Sequence, residues 1–179
     1  LSKDKKNQIF LINRGKKNNI QKKNVFHLKV DRRNIQKIKS FLKNNYFDIV
    51  FDNIAYNLND VKNLLKILKN NYHTYFFTST IITKFLNKKN FKIINKNYNK
   101  NELNYGRNKL KIENFLKNKK IKNYRIIRPH SVFGINDFSG KTKEILHTSK
   151  KDIIRFKIKD SDKLQFIYEK DLIKIIYNL

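Results

Sequence analysis

The sequence predicts an α/β protein with an incomplete doubly wound, Rossmann-like sheet that is mostly parallel and carries helices on both faces. Short apolar runs alternate with amphipathic helical patterns, and the alternation has the period of βαβ units. Continuous apolar runs are typical of strands buried on both faces, as parallel strands are. At 179 residues and 21.7 kDa, the chain is long enough for one hydrophobic core.

The first half of the chain carries the clearest alternation of strands and helices. Four strands are predicted, at residues 9–12, 25–30 and 47–51 and from residue 75 to 77. Asn34 and Asn59 are the predicted N-caps of two helices, because each precedes an apolar stripe with helical spacing. Each strand ends in polar, turn-forming residues, which favours a parallel sheet with crossover helices.

The second half of the chain is less regular. The elements predicted there are a helical turn at 81–85, an extended piece at 91–94, a loop at 95–102, a strand at 124–127, an exposed loop at 134–140, a short helix at 141–148, strands at 153–158 and 164–167, and a final helix at 171–179. We divide the chain into two regions, at 1–133 and at 134–179.

Tyr105 and Lys109 share one face of a predicted helix whose first turn Asn104 can cap. A phenol titrates near pH ~10, and a nearby ammonium group favours the phenolate and lowers that pKa. The pair can therefore move protons near neutral pH. Lysine is so frequent in this chain that a tyrosine followed by a lysine four residues later also arises by chance.

Composition excludes several classes of site. The chain has no cysteine, so it can form neither a disulfide nor a zinc-thiolate centre, and its four histidines lack metal-ligand spacing. We therefore expect no metal. No apolar run is long enough to span a bilayer and no signal peptide opens the chain, so we expect no membrane association and a cytoplasmic location. The formal charge of +28 makes nucleic acid a conceivable partner, although the basic residues are spread evenly and lysine far outnumbers arginine.

A series of segments, in the same order as in the family, resembles the extended short-chain dehydrogenase/reductase superfamily, in its NAD-dependent epimerase/dehydratase branch. The segments are IFLINRG from Ile9, VDRR from Val30, FDIVFDNIAYNLNDVKNLL from Phe47, FFTSTI from Phe76, YGRNKLKIENFL from Tyr105, RIIRPHSVFG from Arg125 and LQFIYEKDL from Leu164. Each segment alone is a weak signal, and their common order carries the resemblance.

The resemblance implies a catalytic group made of a hydroxyl, a phenol and an ammonium. Tyr105 would be the general acid/base at the substrate oxygen, and Lys109 would hold the nicotinamide ribose and lower the pKa of Tyr105. Ser79 would donate a hydrogen bond to the reacting oxygen, and shifting the motif by one residue makes Thr80 the candidate instead. A nucleotide-sugar or a similar hydroxylated small molecule would be the substrate.

The resemblance also implies a nicotinamide dinucleotide cofactor, NADP or NAD, so residues 1–133 would be a truncated NAD(P)-binding region and residues 134–179 the start of a substrate-binding region. Asn13 and Arg14 would lie near the adenosine ribose, and an arginine there can pair with a 2′-phosphate, which slightly favours NADP. Asp31 would approach the adenine, Ala55 would line the cofactor's path and Pro129 would face the nicotinamide.

One family feature is missing from this sequence. The glycine-rich loop that binds pyrophosphate, between the first strand and first helix of the family, is absent, and about 25–30 residues of the opening βαβ unit are expected to precede Leu1. The chain also contains no methionine and ends soon after the final helix, so we expect it to be part of a longer product. In the doubly wound strand order, loss of the first strand would leave two half-sheets with unpaired inner edges.

Two other interpretations remain open at the level of sequence. The NRG and RPHSVFG segments also resemble RNA-binding, non-catalytic relatives on the same fold. The chain could alternatively be an inactive gene fragment from an AT-biased genome, since its lysine and asparagine content is uniformly high.

Overall fold

The structure is a computed structural model that describes residues 3–15, 21–86, 99–118, 121, 123–135, 137, 140, 142–143 and 166–178. These residues form strands and helices in the following order: β1 (Ile9–Asn13), β2 (Val25–Lys29), α1 (Ile35–Leu42), β3 (Phe47–Asp52), α2 (Leu58–Leu68), β4 (Tyr72–Thr78), α3 (Ile82–Leu86), α4 (Lys100–Asn118), β5 (Tyr124–Ile127), β6 (Ser131–Phe133), β7 (Phe166–Tyr168) and α5 (Glu169–Tyr177).

Every strand pair among the described residues is parallel, and the strands form three separate sheets. The sheets are β1–β2, β3–β4–β5 and β6–β7. Parallel strands joined by helices are the doubly wound arrangement predicted from the sequence, and the fold class is confirmed. Among the described strands, the β1–β2 sheet has no ladder to the β3–β4–β5 sheet, as the absence of a glycine-rich strand–helix unit from this sequence predicts.

The main hydrophobic core lies between the β3–β4–β5 sheet and helices α2 and α4. Val50, Tyr75 and Phe77 share one face of the sheet, and α2 and α4 cover that face with Val61, Leu68, Ile112 and Leu116. The apolar stripes of the two helices therefore meet the sheet as their i, i+3, i+4, i+7 spacing predicts.

Helix starts were the least accurate part of the sequence prediction. The cap of α1 at Asn34 is confirmed, since its side chain accepts a hydrogen bond from the Lys37 amide. Helix α2 is capped by Asn57 and not by Asn59, because Asn57 and Asp60 form a reciprocal capping box. Helix α4 begins at Lys100, so the predicted loop at 95–102 is wrong for its last three residues.

Asn104 is therefore not the cap of α4. Asn99 takes that place: its side chain accepts a hydrogen bond from the Glu102 amide, and the Glu102 carboxylate accepts one from the Asn99 amide. Asn104 lies inside the helix and accepts a hydrogen bond from Arg107.

The ends of the other elements differ from the prediction by a few residues. Strand β4 begins at Tyr72, β7 ends at Tyr168, and the final helix spans Glu169–Tyr177. The predicted extended pieces at 91–94 and 153–158 lie outside the described residues, as does most of the helix predicted at 141–148. No helix within the described residues has both the length and the apolar character needed to cross a membrane.

Candidate active site

Helix α4 carries the candidate acid–base residues on one face. Tyr105, Lys109 and Glu113 follow one another at four-residue spacing, so their side chains lie one above the next. Lys109 and Glu113 are only 2% and 1% exposed, which is rare for charged side chains without partners. Both side chains point toward the carboxyl end of β4, where they form hydrogen bonds with Thr78 and Ser79.

Lys109 joins α4 to the carboxyl end of β4. Its ammonium group donates a hydrogen bond to the carbonyl oxygen of Thr78, with an N–O distance of 2.7 Å. The same nitrogen lies 4.8 Å from the ring centre of Phe77, 5.3 Å from that of Tyr105 and 5.7 Å from that of Tyr56. Burial lowers the pKa of Lys109 to about 8, even though Asp52 favours the charged form.

The Tyr105 phenol does not have the lowered pKa that the sequence predicted. Burial, and secondly the neighbouring Tyr56, raise the pKa of Tyr105 above its ordinary value. The Lys109 ammonium lies against the faces of the aromatic rings and is hydrogen-bonded to Thr78. Tyr105 is therefore a protonated donor at neutral pH in this state of the protein.

Ser79 and Thr80 follow β4 directly, and their hydroxyl groups are used differently. The Ser79 hydroxyl donates a hydrogen bond of 2.6 Å to Glu113 and is buried. The Thr80 hydroxyl accepts a long hydrogen bond of 3.4 Å from the Ile82 amide, which leaves its own proton available for another acceptor.

Glu113 is the centre of a buried polar cluster that the sequence analysis missed. Its carboxylate accepts hydrogen bonds from Ser79, from Thr83 and, in a bidentate pair at 2.7 and 2.8 Å, from Arg128. Burial acts to raise the pKa of Glu113, but the hydrogen bonds from Arg128, Ser79 and Thr83 outweigh it and lower the pKa. The four-residue spacing from Lys109 was the one signal in the sequence, and it did not identify the partner Arg128.

Helix α3, which follows the turn containing Thr80, packs closely against α4. α3 packs against α4 at Gly106, where a methyl group would come within 2.5 Å of a methyl carbon of Ile82. Only glycine fits this contact without displacing Ile82. Gly106 therefore allows the close approach of α3 and α4.

The residues predicted to bind the cofactor lie at the carboxyl ends of the parallel strands. Asn13 ends β1, and its side-chain oxygen accepts hydrogen bonds from the Gly15 amide and lies 3.0 Å from His27 Nε2. Arg14 is exposed beside it. Asp31 is exposed after β2 and accepts a hydrogen bond from the Arg33 amide.

Ala55 and Pro129 occupy the corresponding positions after β3 and β5. The Ala55 side chain is fully buried in the core, so only its backbone can face a ligand. Pro129 is half-buried, and its carbonyl oxygen accepts a hydrogen bond from the Ile81 amide. Pro129 also lines a cleft of about 560 Å³ together with Ile81, Arg128, His130, Phe166 and Leu172.

A second buried ion pair, also missed by the sequence analysis, joins the two larger sheets. Arg32, which follows β2, donates two hydrogen bonds of 2.9 and 3.0 Å to Asp52 at the end of β3, and a third to the Asp60 carbonyl. The Tyr75 hydroxyl also donates a hydrogen bond of 2.8 Å to Asp52. This pair keeps the carboxyl ends of β2 and β3 level, so the candidate residues of both sheets lie at one edge.

The described residues offer polar groups that suit the nicotinamide and adenosine ends of a nicotinamide dinucleotide, but none that suit its central pyrophosphate. Lys109 has three N–H donors and one hydrogen bond among the described residues, and the Thr78 hydroxyl beside it is buried without a partner there. Such groups suit ribose hydroxyls. The four glycines are Gly15, Gly106, Gly134 and Gly140, and their spacing cannot form a pyrophosphate-binding loop.

Comparison with known proteins supports the fold. No family model matches the chain, and no curated protein matches it. Among solved structures, an ethylated short-chain dehydrogenase/reductase from Veillonella parvula DSM 2008 matches with a TM-score of 0.64 and 15% identity, over 96% of this chain and 73% of that one.

Two further structures agree with this match. A short-chain dehydrogenase/reductase from Veillonella parvula DSM 2008, solved in complex with NADP, has a TM-score of 0.62 and 14% identity over 96% and 74% of the two chains. A short chain dehydrogenase family protein from Francisella tularensis subsp. tularensis SCHU S4 has a TM-score of 0.54 and 16% identity over 84% and 69%. At these identities the likeness shows a short-chain dehydrogenase-like Rossmann fold.

Proposed function

We propose that this chain carries the acid–base site of an NAD(P)-dependent epimerase/dehydratase or reductase that acts on a nucleotide-sugar or similar hydroxylated substrate. The observation that supports the proposal most is the position of Lys109, which lies over the Tyr105 ring and donates to Thr78 at the end of β4. Lys109 thus links the Tyr105 ring to the end of β4, which is followed by Ser79 and Thr80 and lies at the sheet edge where α/β proteins bind ligands.

In this proposal Tyr105 is the catalytic acid/base. Its raised pKa keeps it protonated at neutral pH, so it donates a proton to a developing alkoxide at the substrate carbon. In the reverse direction the phenolate form is required, and a charged Lys109 stabilises it. Because the pKa of Lys109 is about 8, this assistance weakens as the pH rises above 8.

Thr80 is the hydroxyl that we assign to the reacting oxygen. Ser79 already donates its proton to the Glu113 carboxylate, whereas the Thr80 proton is not used in that cluster. The turn is then supported by the hydrogen bonds that join Ser79, Glu113 and Arg128. Arg128 also lines the cleft beside Pro129, where a substrate would enter.

When bound, the nicotinamide would supply hydride transfer, while this chain's residues hold its two ends. Lys109 and the region around Pro129 suit the nicotinamide ribose, and Asn13, Arg14 and Asp31 suit the adenosine. The exposed Arg14, and the NADP bound by one Veillonella structure, favour NADP over NAD.

Cofactor binding is tested by fluorescence titration with NADPH and NADH. Because no glycine-rich loop is present, we expect this chain to bind both weakly, and a fusion with a glycine-rich strand–helix unit before Leu1 to bind NADPH more tightly than NADH. Arg14→Ala in the fusion should remove the preference for NADPH. Tight binding by the unfused chain would contradict the role given to the missing loop.

The acid–base assignment is tested in the same fusion by assaying turnover of a panel of nucleotide-sugars. Tyr105→Phe should lower kcat by about 10²–10⁴ without changing the far-UV circular dichroism spectrum. Tyr177→Phe is the matched control, because Tyr177 lies at the end of α5 and is 75% exposed. Thr80→Ala should lower kcat more than Ser79→Ala does. Full activity in Tyr105→Phe would rule out the assignment.

A further inference from the structure

The cleft beside Pro129 has an apolar lining with two polar side chains in it, those of Arg128 and His130. Its volume is about 560 Å³, and we call it the Arg128 cleft. The apolar residues lining it come from the turn after β4, from β5 and the turn after it, from β7 and from α5: Ile81, Ile127, Pro129, Phe166, Ile167 and Leu172. A concave, mostly apolar lining with a few polar groups is typical of small-molecule sites.

Arg128 is held in place by Glu113, while part of its guanidinium group stays available. Its Nε and Nη2 atoms donate to the two carboxylate oxygens at 2.8 and 2.7 Å. Within the described part of the chain, Nη1 and its two N–H groups have no hydrogen-bond partner. The Arg128 side chain is 26% exposed, so a ligand can reach it. A guanidinium group fixed in this way loses little rotamer freedom when it binds a ligand.

His130 offers a second hydrogen-bond donor. Its Nδ1 atom accepts a hydrogen bond of 2.9 Å from the Ser131 amide, so the neutral ring carries its proton on Nε2. Among the residues that the structure describes, Nε2 has no hydrogen-bond partner. Both polar side chains that line the Arg128 cleft therefore have N–H groups to donate.

The Arg128 cleft offers few acceptors to a ligand. None of the described residues that line it has an acidic, hydroxyl or amide side chain. The carbonyl oxygens of Ile127 and Pro129 already accept hydrogen bonds from the backbone amides of the turn after β4. Glu113 balances the charge of Arg128, so a preference for anions comes from the directed donors, from the scarcity of acceptors and from the formal charge of +28.

We propose that the Arg128 cleft binds the carboxylate of a small organic acid whose apolar body fills the rest of the cleft. The two oxygens of a carboxylate accept several hydrogen bonds at once, which suits the available donors of Arg128 and His130. A phosphate dianion would bring more charge into an apolar lining, at a higher cost of desolvation.

This inference deepens the proposed function, because it narrows the substrate to a hydroxylated acid. It rests on the proposed function only in taking the bound acid to be the substrate. Binding in the Arg128 cleft requires neither a dinucleotide nor turnover, so it can be measured separately.

The test is isothermal titration calorimetry of the 179-residue chain in about 0.15 M NaCl, which screens the exposed lysines. The probe is phenylacetate, and its neutral counterpart is phenylacetamide. Phenylacetate should bind at one site and at least about tenfold more tightly than phenylacetamide, because the amide nitrogen has donors where the carboxylate has an acceptor. Acetate lacks the apolar body and should bind at least about tenfold more weakly than phenylacetate.

Phe166→Asp tests the location of the site. It places a negative charge in the lining, so it should weaken phenylacetate binding by at least about tenfold. Phe166 is 47% exposed, so the fold should tolerate the change. Phe51→Asp is the matched control, because Phe51 is 44% exposed and lies on β3, outside the Arg128 cleft, and it should change the Kd less than about twofold.

Arg128→Lys tests the guanidinium group. A lysine there keeps the charge beside Glu113 but has no planar fork that binds Glu113 and a ligand together, so phenylacetate should bind at least about tenfold more weakly. Arg125→Lys, at an exposed position on the same strand, is the control. Far-UV circular dichroism checks folding, and if Arg128→Lys is unfolded, Phe166→Asp and the ligand series decide.

One-site binding that prefers phenylacetate and is weakened by Phe166→Asp but not by Phe51→Asp supports the proposal. Equal binding of phenylacetate and phenylacetamide would overturn it, as would an unchanged Kd in Phe166→Asp. Equal binding of acetate would indicate a nonspecific basic surface, and tighter binding of benzyl phosphate would indicate a phosphate site, so each would also overturn it. An inactive fusion with this binding intact would contradict the proposed function alone.

Discussion

The two larger sheets of this protein differ sharply in how they are stabilised. The larger unit, which we define as β3–β4–β5 with α2 and α4, contains nearly all of the fully buried side chains, among them Phe77, Ile112 and Leu116. The smaller unit, β1–β2 with α1, has a single buried side chain among the described residues up to 46, that of Ile38. One unit has a core of its own, and the other depends on contacts with it.

The acid–base end and the adenosine end of the candidate site lie in different units. The acid–base residues Tyr105 and Lys109 belong to the larger unit, whereas Asn13, Arg14 and Asp31 belong to the smaller one or to the turns beside it. The contacts between the units include α1 against α2, the ring of Phe10 against Phe47 and the Arg32–Asp52 pair. We therefore expect the adenosine side of the site to be lost first when the protein is destabilised.

The largest effect is expected from truncating a side chain in the larger unit. Phe77→Ala should lower the free energy of unfolding by about 3–5 kcal/mol, because Phe77 is fully buried. Phe26→Ala, in the smaller unit, should cost about 1 kcal/mol, because Phe26 is 42% exposed. Urea unfolding of both variants measures the difference, and equal losses would contradict the division into a strong and a weak unit.

Breaking the ion pair between the units should cost nearly as much. Arg32→Ala leaves the Asp52 carboxylate buried without its partner and should lower stability by about 3 kcal/mol. Hydrogen exchange should accelerate in β1 and β2 more than in β4, because the smaller unit loses its attachment. Arg33→Ala is the control, since Arg33 is the exposed neighbour. Uniform acceleration in all strands would show that the two units unfold together.

The buried Lys109 makes the stability of the larger unit depend on pH. The pKa of Lys109 is about 8 in the folded protein and about 10.5 when unfolded, so between these values the unfolded chain binds more protons. Stability should therefore rise with pH, by about 2 kcal/mol between pH 7 and pH 9.5 relative to Lys109→Met. Lys111→Met, at an exposed position, should behave like the unmodified chain. A difference that does not vary with pH would mean that burial does not lower this pKa.

The smallest effect is expected at the exposed pair Lys174–Asp171, which lies outside both units. Its atoms are 3.5 Å apart and its side chains are 78% and 59% exposed, so Lys174→Ala should change stability by less than about 0.5 kcal/mol. Thermal unfolding of this variant beside Arg32→Ala compares an exposed ion pair with a buried one. A loss of stability as large as that of Arg32→Ala would show that burial does not determine how much each ion pair contributes.

Much of the fold could be predicted because local signals and tertiary structure agree in this chain. The apolar runs ending at Asn13 and Asp52 became strands, and Asn34 became a cap, since each depends on residues within one or two turns. Helix starts were less predictable: asparagine is so frequent that several positions near each helix can cap it, and the reciprocal partners Asp60 and Glu102 decided between them.

The candidate site could be predicted only in part. The four-residue spacing placed Tyr105 and Lys109 on one face, as the structure shows. The direction of the Tyr105 pKa could not be predicted, because it depends on burial and on Tyr56, a residue from another strand end. The partners of Glu113 and Asp52 were equally inaccessible, since Arg128 and Arg32 reach them only after the sheets have assembled.

The absence of a side chain at Gly106 sets the spacing of α3 and α4, and so affects the chemistry proposed for Tyr105. Because any side chain there meets Ile82, an alanine would push α3, and with it the turn that contains Thr80, away from α4. Proton transfer falls off steeply when donor and acceptor separate, so such a change would remove the proposed activity while leaving a well-folded protein. In a population of related sequences, this position would distinguish chains still under selection for catalysis from chains that keep only the scaffold.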